Sequence, residues 1–228
     1  GNYPHLPNME MLRHQPNYHR KMMDKFGIKA RLGVEATAAM VLEERPDVVV
    51  IATGAQAVIP AIDGLAAGLK SGFAVTIDDA MARNGAKAPG KSVLIWGAGE
   101  GAELAIELKR AGHTVRLIDD KPTYVPANYV GSRAMVIAAV LAFEGINIES
   151  GQTLEKVGSG QVTVKGADGT VETIHADTLI VCQGRKPCNA LAHELTGKGM
   201  TVHTIGDARS PRSYANAIHE AAYLARQI

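Results

Sequence analysis

The chain has 228 residues, 46% hydrophobic and 21% charged, and its 24 Lys and Arg nearly cancel 23 Asp and Glu to leave a net charge of +1. Such a chain can bury a core and form one large or two small domains. The near-neutral balance supplies no field for nucleic acid or an acidic membrane surface, and 4% aromatic content offers little for stacking bases. Cys182 and Cys188 are the only cysteines. They lack the C-x-x-C spacing and are too few to hold an iron–sulfur cluster, so both are expected as buried structural residues. The longest apolar run, 134–143, is about half a membrane span. With no signal peptide in view, a cytoplasmic location is the default.

In chain order, helical and strand patterns alternate, which argues for an α/β fold with parallel sheets. Residues 17–26 read as a helix closed by Gly27, 28–32 as a short strand, and 37–44 as a helix stopped by Pro46. Residues 47–52, DVVVIA, are nearly all apolar, as in a strand covered on both faces, and they end in Thr53-Gly54. The Pro-, Gly- and Ala-rich stretch 55–71 reads as a loop crossing between lobes.

Residues 93–119 carry the most information. Four apolar residues, Val93 to Trp96, run into Gly97-Ala98-Gly99, a helical pattern follows, and Gly112 stands where a helix C-cap glycine belongs. A second strand ends at Asp119. In this strand–turn–helix–strand unit Gly97 permits the tight turn and Gly99 lets the backbone approach a pyrophosphate. Ala102 lets helix and strand pack closely. The helix N-terminus offers free N–H groups to phosphates. Asp119 can accept both ribose hydroxyls, which favours NAD over a 2′-phosphorylated cofactor. Two other readings stay open at this point. The glycines could serve packing alone, or Gly97, Gly99 and Gly101 could form the GxGxG loop of a methyltransferase, although Trp96 stands where that family usually has an acid.

Farther on, Ser132 can cap a helix reaching Glu144, with Gly145 beyond its end, and 146–149 continue as a strand. Gly158-Ser159-Gly160 and Asp168-Gly169 are hairpin signals that divide 154–175 into an antiparallel meander. Residues 178–181 form another buried strand, ending at Gln183-Gly184-Arg185. Residues 202–205 form the last one, ending at Gly206-Asp207. A C-terminal helix over 213–226 should bury Ala217, Ile218, Ala221, Ala222 and Leu224. Glu103, Glu107 and Arg110 read as ordinary surface-helix charges. Arg185 and Lys186 read as a solvated loop, with a position on a substrate-side cleft as the other reading. The eight histidines, His203 and His219 among them, show no metal-ligand spacing.

Four motifs in order, PDVVVIATG (46–54), the GxGxxA unit with Asp119, DTLIVCQGRKP (177–187) and IGDARSPRSYANAI (205–218), resemble the two-dinucleotide-binding-domain flavoproteins. Within them the chain is most similar to the C-terminal FAD/NAD(P)-binding region of the 2,4-dienoyl-CoA reductase and trimethylamine dehydrogenase family. The resemblance covers nearly the whole chain. It implies Rossmann-like doubly wound sheets, with a nucleotide-binding lobe and its β-meander (66–184) inserted into a split FAD-type lobe (1–65 plus 185–228). It implies that Gly97, Gly99, Ala102 and Asp119 bind NAD(H), with Gly184 on the nicotinamide side. Thr53 and Gly54 would turn the chain beside FAD, or beside ADP in some members, and Gly206 and Asp207 would meet its ribityl or phosphate region. No GxGxxG unit precedes Pro46, so a truncated FAD lobe with weak or absent FAD is expected. FMN and a 4Fe-4S cluster would reside in an N-terminal barrel, the expected partner, which this chain lacks. Assembly into a homo-oligomer stays open. Glu100 would lie near the pyrophosphate, where like charges weaken binding.

The implied chemistry is hydride transfer from NADH to FAD and electron transfer onward, which asks for no catalytic side chain. A non-catalytic ADP-binding or electron-relay module and the methyltransferase remain as alternatives.

Overall fold

Alternation along one strand explains the main layer structure. In β4 (Ser92–Trp96), Val93 and Ile95 face one apolar cluster and Leu94 and Trp96 face another. Both faces of the sheet are therefore covered, and all four side chains are buried. The computed structural model describes residues 14–82, 90–123 and 131–228. The chain divides into two compact units, one built mainly from residues 57–184 and one from 18–56 with 185–228.

In the first unit, α3 (Leu65–Ser71), β3 (Ala74–Thr76) and α4 (Ile77–Ala82) precede β4. Then come α5 (Ala98–Arg110), β5 (Thr114–Asp119), α6 (Gly131–Phe143) and β6 (Ile148–Ser150). The meander strands β7 (Thr153–Val157), β8 (Gln161–Lys165) and β9 (Val171–His175) lead to β10 (Thr178–Val181). The parallel sheet has the order β3-β10-β4-β5-β6. Residues of α4, α5 and α6 cover one face; Leu65 of α3 and the inward residues of the antiparallel β7-β8-β9 sheet cover the other. The expected parallel sheet and meander are both present. The stretch 55–71 is not the expected loop, because β2 (Ala55–Ala57) and α3 lie within it. Leu65, 1% exposed, anchors α3 under the meander. The α6 helix begins at Gly131, and the Ser132 side chain lies outside the described ones.

Two ion clusters join these layers. Arg116 of β5 donates to Glu149 of β6 at 2.6 and 2.7 Å and to Glu172 of β9 at 2.8 and 2.7 Å. One guanidinium thus ties sheet to meander through two bidentate pairs. Glu103 and Glu107 are not the expected surface charges. Glu103 pairs with Arg133 of α6, and both glutamate side chains are only 12% exposed. Burial raises the Glu107 carboxyl against the attraction of Arg110, and its Oε2 has no hydrogen-bond partner.

The second unit holds α2 (Ala38–Glu43), β1 (Val48–Ile51), β11 (Arg185–Pro187), α7 (Ala190–Leu195), β12 (Thr201–Thr204), a 3-10 turn (Gly206–Ala208) and α8 (Tyr214–Leu224). The helix α1 (His14–Lys25) precedes α2. Thr37 and Ser213 cap α2 and α8, the latter in a capping box with Asn216. Among the described residues, β1 pairs only with β12, in parallel, over a small core of Ile51, Ala192, Leu195 and Ala208. Several expectations fail here for want of covering layers. Residues 28–32 form no strand, and Ile28 and Leu32 are exposed. Val48 and Val50 of β1 are exposed, not covered on both faces. In α8 only Leu224 is buried, while Ile218, Ala221 and Ala222 are exposed. Arg185 and Lys186, expected in a loop, pair as β11 with β2. No helix among the described residues is long and apolar enough to cross a membrane.

Arg116 holds the Glu172 carboxyl below its ordinary value of 4.5, chiefly by hydrogen bonding. A carboxylate depressed in the folded state stabilises the fold above its unfolded pKa and loses that contribution as pH falls through the folded one. Stability should therefore decline below about pH 4.5, and the decline should be shallower in Arg116→Met. Because Glu172 is half exposed, the difference is about 1 kcal/mol or less. Denaturant unfolding from pH 3 to 7 measures it, and parallel profiles would refute the link.

Candidate nucleotide-binding site

The site begins where β4 runs out of room for side chains. Gly97 has φ +110°, and a Cβ there would stand 2.1 Å from the Cys182 carbonyl oxygen. Its N–H donates to the Ile118 carbonyl at 2.8 Å, and the Cys182 N–H donates to the Trp96 carbonyl at 2.8 Å. The end of β4 is thereby gripped between β5 and β10, in a conformation and a space that only glycine fits. The bulk of Trp96 is accommodated on the other face, where its ring is 4% exposed in the cluster under the meander with Nε1 unpartnered.

The turn opens directly into α5. The Ala98 N–H donates to Asp119 Oδ2 at 2.6 Å, and the Lys121 N–H donates to Asp119 Oδ1 at 2.9 Å. Asp119 is 4% exposed, so its carboxylate joins the start of α5 to the end of β5. A negative charge at a helix N-terminus is favourable. Gly97, Gly99, Ala102 and Asp119 thus gather at the carboxyl ends of β4 and β5. Gly99 and Glu100 are partly exposed in the first turn of α5, while Ala102 is fully buried. The tightest helix–strand approach falls one residue earlier than expected. A Cβ on Gly101 would be 2.7 Å from Ile95 Cγ2. The signal was the run of small residues from Gly97 to Ala102 interrupted only by Glu100. Gly184 is exposed beyond the neighbouring β10, with φ +85°, and its carbonyl accepts the Val58 N–H at 2.9 Å.

The second group of expected residues lies in the other unit. Ile51 stands opposite Thr204 in the β1–β12 ladder, so the Thr53-Gly54 and Gly206-Asp207 turns leave adjacent strand ends. The Thr53 hydroxyl donates to the Cys188 carbonyl, and the Cys188 N–H donates to the Gly54 carbonyl at 2.9 Å. Cys188 is half-buried and Cys182 fully buried, so the expectation of two buried cysteines holds for one. Gly206 is buried, and its N–H donates to Glu220 Oε2 at 2.7 Å. Asp207 Oδ1 accepts the Arg212 N–H at 3.0 Å, and the Arg212 side chain donates to Glu220. The Gly206 N–H, then Arg212, hold the Glu220 carboxyl below its usual range. Sequence reasoning missed Glu220, since nothing in its spacing marks it among the polar residues of α8. His203 is partly exposed and His219 exposed. The described residues contain no cluster suited to a metal ion.

Residues 17–221 match the family described as pyridine nucleotide-disulphide oxidoreductase. An NADH oxidase of Thermoanaerobacter brockii is 26% identical over 90% of this chain and 32% of its own length. The structure of a 2-naphthoyl-CoA reductase in complex with 2-naphthoyl-CoA superposes on the entire chain with TM-score 0.86 and 25% identity, over 34% of that protein. Histamine dehydrogenase from Rhizobium sp. 4-9 superposes on the entire chain with TM-score 0.73 and 22% identity, over 36% of its length. The chain spans about a third of the length of these proteins. The resemblance to the dienoyl-CoA reductase and trimethylamine dehydrogenase family is borne out, and the methyltransferase alternative gains no support.

Gly97→Ala should destabilise the first unit by at least about 2 kcal/mol, because backbone strain adds to a clash with a carbonyl that cannot rotate away. Asp119→Ala should cost about 1–3 kcal/mol without any ligand, since two backbone donors lose their acceptor. Chemical denaturation of the unliganded chain measures both. An Asp119→Ala protein of unchanged stability would show that the carboxylate is not a structural link.

Proposed function

The chain belongs to the pyridine nucleotide-disulphide oxidoreductase family, and from that premise we propose that its unit of residues 57–184 binds NADH for a flavin-dependent oxidoreductase. The observation that carries this is the β4–α5 turn, where Gly97, the open first turn of α5 and the Asp119 carboxylate stand together at adjacent strand ends. The NADH oxidase among the relatives supports the choice of ligand.

The residues of this unit fit the group. Gly97, Gly99 and the first turn of α5 would hold the pyrophosphate through backbone N–H groups. Ala98 gives its N–H to Asp119, so the remaining donors of that turn carry the contact. Each Asp119 oxygen keeps a second lone pair for a ribose hydroxyl. The same fixed negative charge repels a 2′-phosphate, and the exposed Asp120 beside it adds to the repulsion. Bound nicotinamide supplies the hydride chemistry, and the protein's part is to place the ring and exclude water.

The second unit fits FAD only in part. Its described residues include a two-stranded sheet but no glycine-rich strand–turn–helix, and the Gly206 N–H is already taken by Glu220. Thr53, Gly54, Gly206 and Asp207 would border a flavin or ADP without supplying a complete phosphate grip. In the parent protein we assign the partner role to an N-terminal barrel carrying FMN and a 4Fe-4S cluster, the acceptor of the electrons. The final substrate, an enoyl thioester or an amine, would be chosen there.

Calorimetric titration tests the reading. NADH should bind at least tenfold more tightly than NADPH, and the purified chain should carry little FAD. Binding of ADP or AMP with no gain from the nicotinamide half would favour the non-catalytic ADP-binding module. A preference for NADPH would overturn the role of Asp119, and stoichiometric flavin would overturn the incomplete flavin grip.

A further inference from the structure

The stretch from Ala134 to Phe143 holds no polar residue. In the fold it makes up most of α6, a helix with one anchored side and one bare side. Ile137 and Leu141 are buried in the core cluster, while Met135, Val136 and Phe143 are 75%, 60% and 86% exposed. A helix that is apolar all round is ordinarily covered all round, so this one calls for a second cover. Contiguous apolar surface, unlike scattered single residues, marks an interaction face.

Helical spacing of about 100° per residue gathers Met135, Val136, Ala139, Ala142 and Phe143 into one outward stripe with Ala139 at its centre. The stripe is complementary to its own reverse. A second copy laid antiparallel over Ala139 sets Met135 against Phe143 of that copy and Val136 against Ala142 of that copy. Ala139 meets its own equivalent. The thioether then lies on an aromatic ring, and the small central residue lets the helix axes approach to about 8 Å. Residue i meeting j while j meets i is the pattern a two-fold interface requires.

Charges at the two ends select the orientation. Arg133 precedes the stripe and Glu144 follows it, and helical spacing puts the two on one flank. Arg133 pairs with Glu103 of α5, and Glu144 accepts from Arg110 of α5. An antiparallel copy brings each Arg133 to the Glu144 end of the other, whereas a parallel copy would bring like charges together. Opposed helix dipoles favour the same arrangement. A lipid surface fits less well, because helices that lie on membranes carry rows of Lys and Arg beside the apolar face, and the sequence of α6 has Arg133 alone.

We propose that α6 is a self-association face, on which two copies of this chain pack antiparallel about a two-fold axis at Ala139. The 13 residues of α6 span about 20 Å, which places the contact at the small end of specific interfaces and makes the dimer reversible. The pairing does not depend on the NADH reading.

Sedimentation equilibrium over a range of concentrations tests it, on the unaltered 228-residue chain, Met135→Lys, Phe143→Glu and the double substitution. The unaltered chain should form a dimer and nothing larger, because a two-fold contact closes on itself. Each single substitution should weaken the dimer at least about tenfold by setting a charge in the apolar contact. The double substitution should recover most of that loss. Its two charges meet across the antiparallel axis, but within one copy they lie roughly 12 Å apart along the helix. Both positions are exposed, so the thermal midpoint of the monomer should stay unchanged. A chain monomeric at every concentration would overturn the proposal, and so would a dimer indifferent to both single substitutions. Weakening by the single substitutions with no recovery in the double one would refute the antiparallel register. A monomeric chain that sediments with phosphatidylcholine vesicles, and loses them on Phe143→Glu, would assign the face to lipid instead.

Discussion

The backbone of Gly97 lies so close to the Cys182 carbonyl that no side chain fits between them. Much of the first unit is arranged around that contact. It joins the end of β4 to the end of β10, and the Gly97 N–H joins the same point to β5. Three adjacent strands therefore end at a common level, with α5 starting from their middle. Asp119 completes the knot by accepting the first N–H of that helix. The site is made of backbone held in place by packing, which is why few of its residues need reactive side chains.

This also explains what could be read from the residues alone. A glycine between an apolar strand and a helix, with an acid closing the next strand, is a pattern set by local geometry, and the unit appears where Gly97, Gly112 and Asp119 placed it. The meander was legible for the same reason, since Gly160 and Gly169 both take positive φ in its turns. The burial of Asp119 was not legible. A carboxylate at a strand end looks equally apt for solvent or a ribose, and only the fold shows the Ala98 and Lys121 amides meeting it.

Where pattern reading failed, tertiary context decided. The stretch containing α3 carries Pro60, Gly64 and Gly68, which read as loop punctuation even though its alanines favour a helix. Its Leu65 is nonetheless among the least exposed side chains, and the helix forms because the meander covers it. Residues 28–32 show the converse. Their apolar side chains suggest a strand, but no partner strand pairs with them among the described residues, and Leu32 is 89% exposed. Glu103 and Glu107 misled in a third way. Helical spacing puts them at ordinary surface distances, while the position of α6 turns that surface into an interface.

The two units thus differ in how far their own residues complete them. The first has a five-stranded sheet covered on both faces, with a glycine turn and a capping acid at the same edge. The second has the β1–β12 pair over a core of four buried residues and a short β11–β2 pair, and the Val48 and Val50 side chains stay exposed. Its GD turn is well ordered internally, because Glu220 satisfies the Gly206 amide and holds Arg212. That satisfaction has a consequence for ligands. A backbone donor already bonded to a charged carboxylate is not free for a phosphate, and displacing Glu220 would leave the carboxylate facing that phosphate. In the GD turn the Gly206 N–H is thus already bonded, and Asp207 is left partly exposed. In the reading proposed above, nucleotide recognition would rest on the β4–α5 edge, where the first turn of α5 is partly open beyond the N–H that Asp119 accepts.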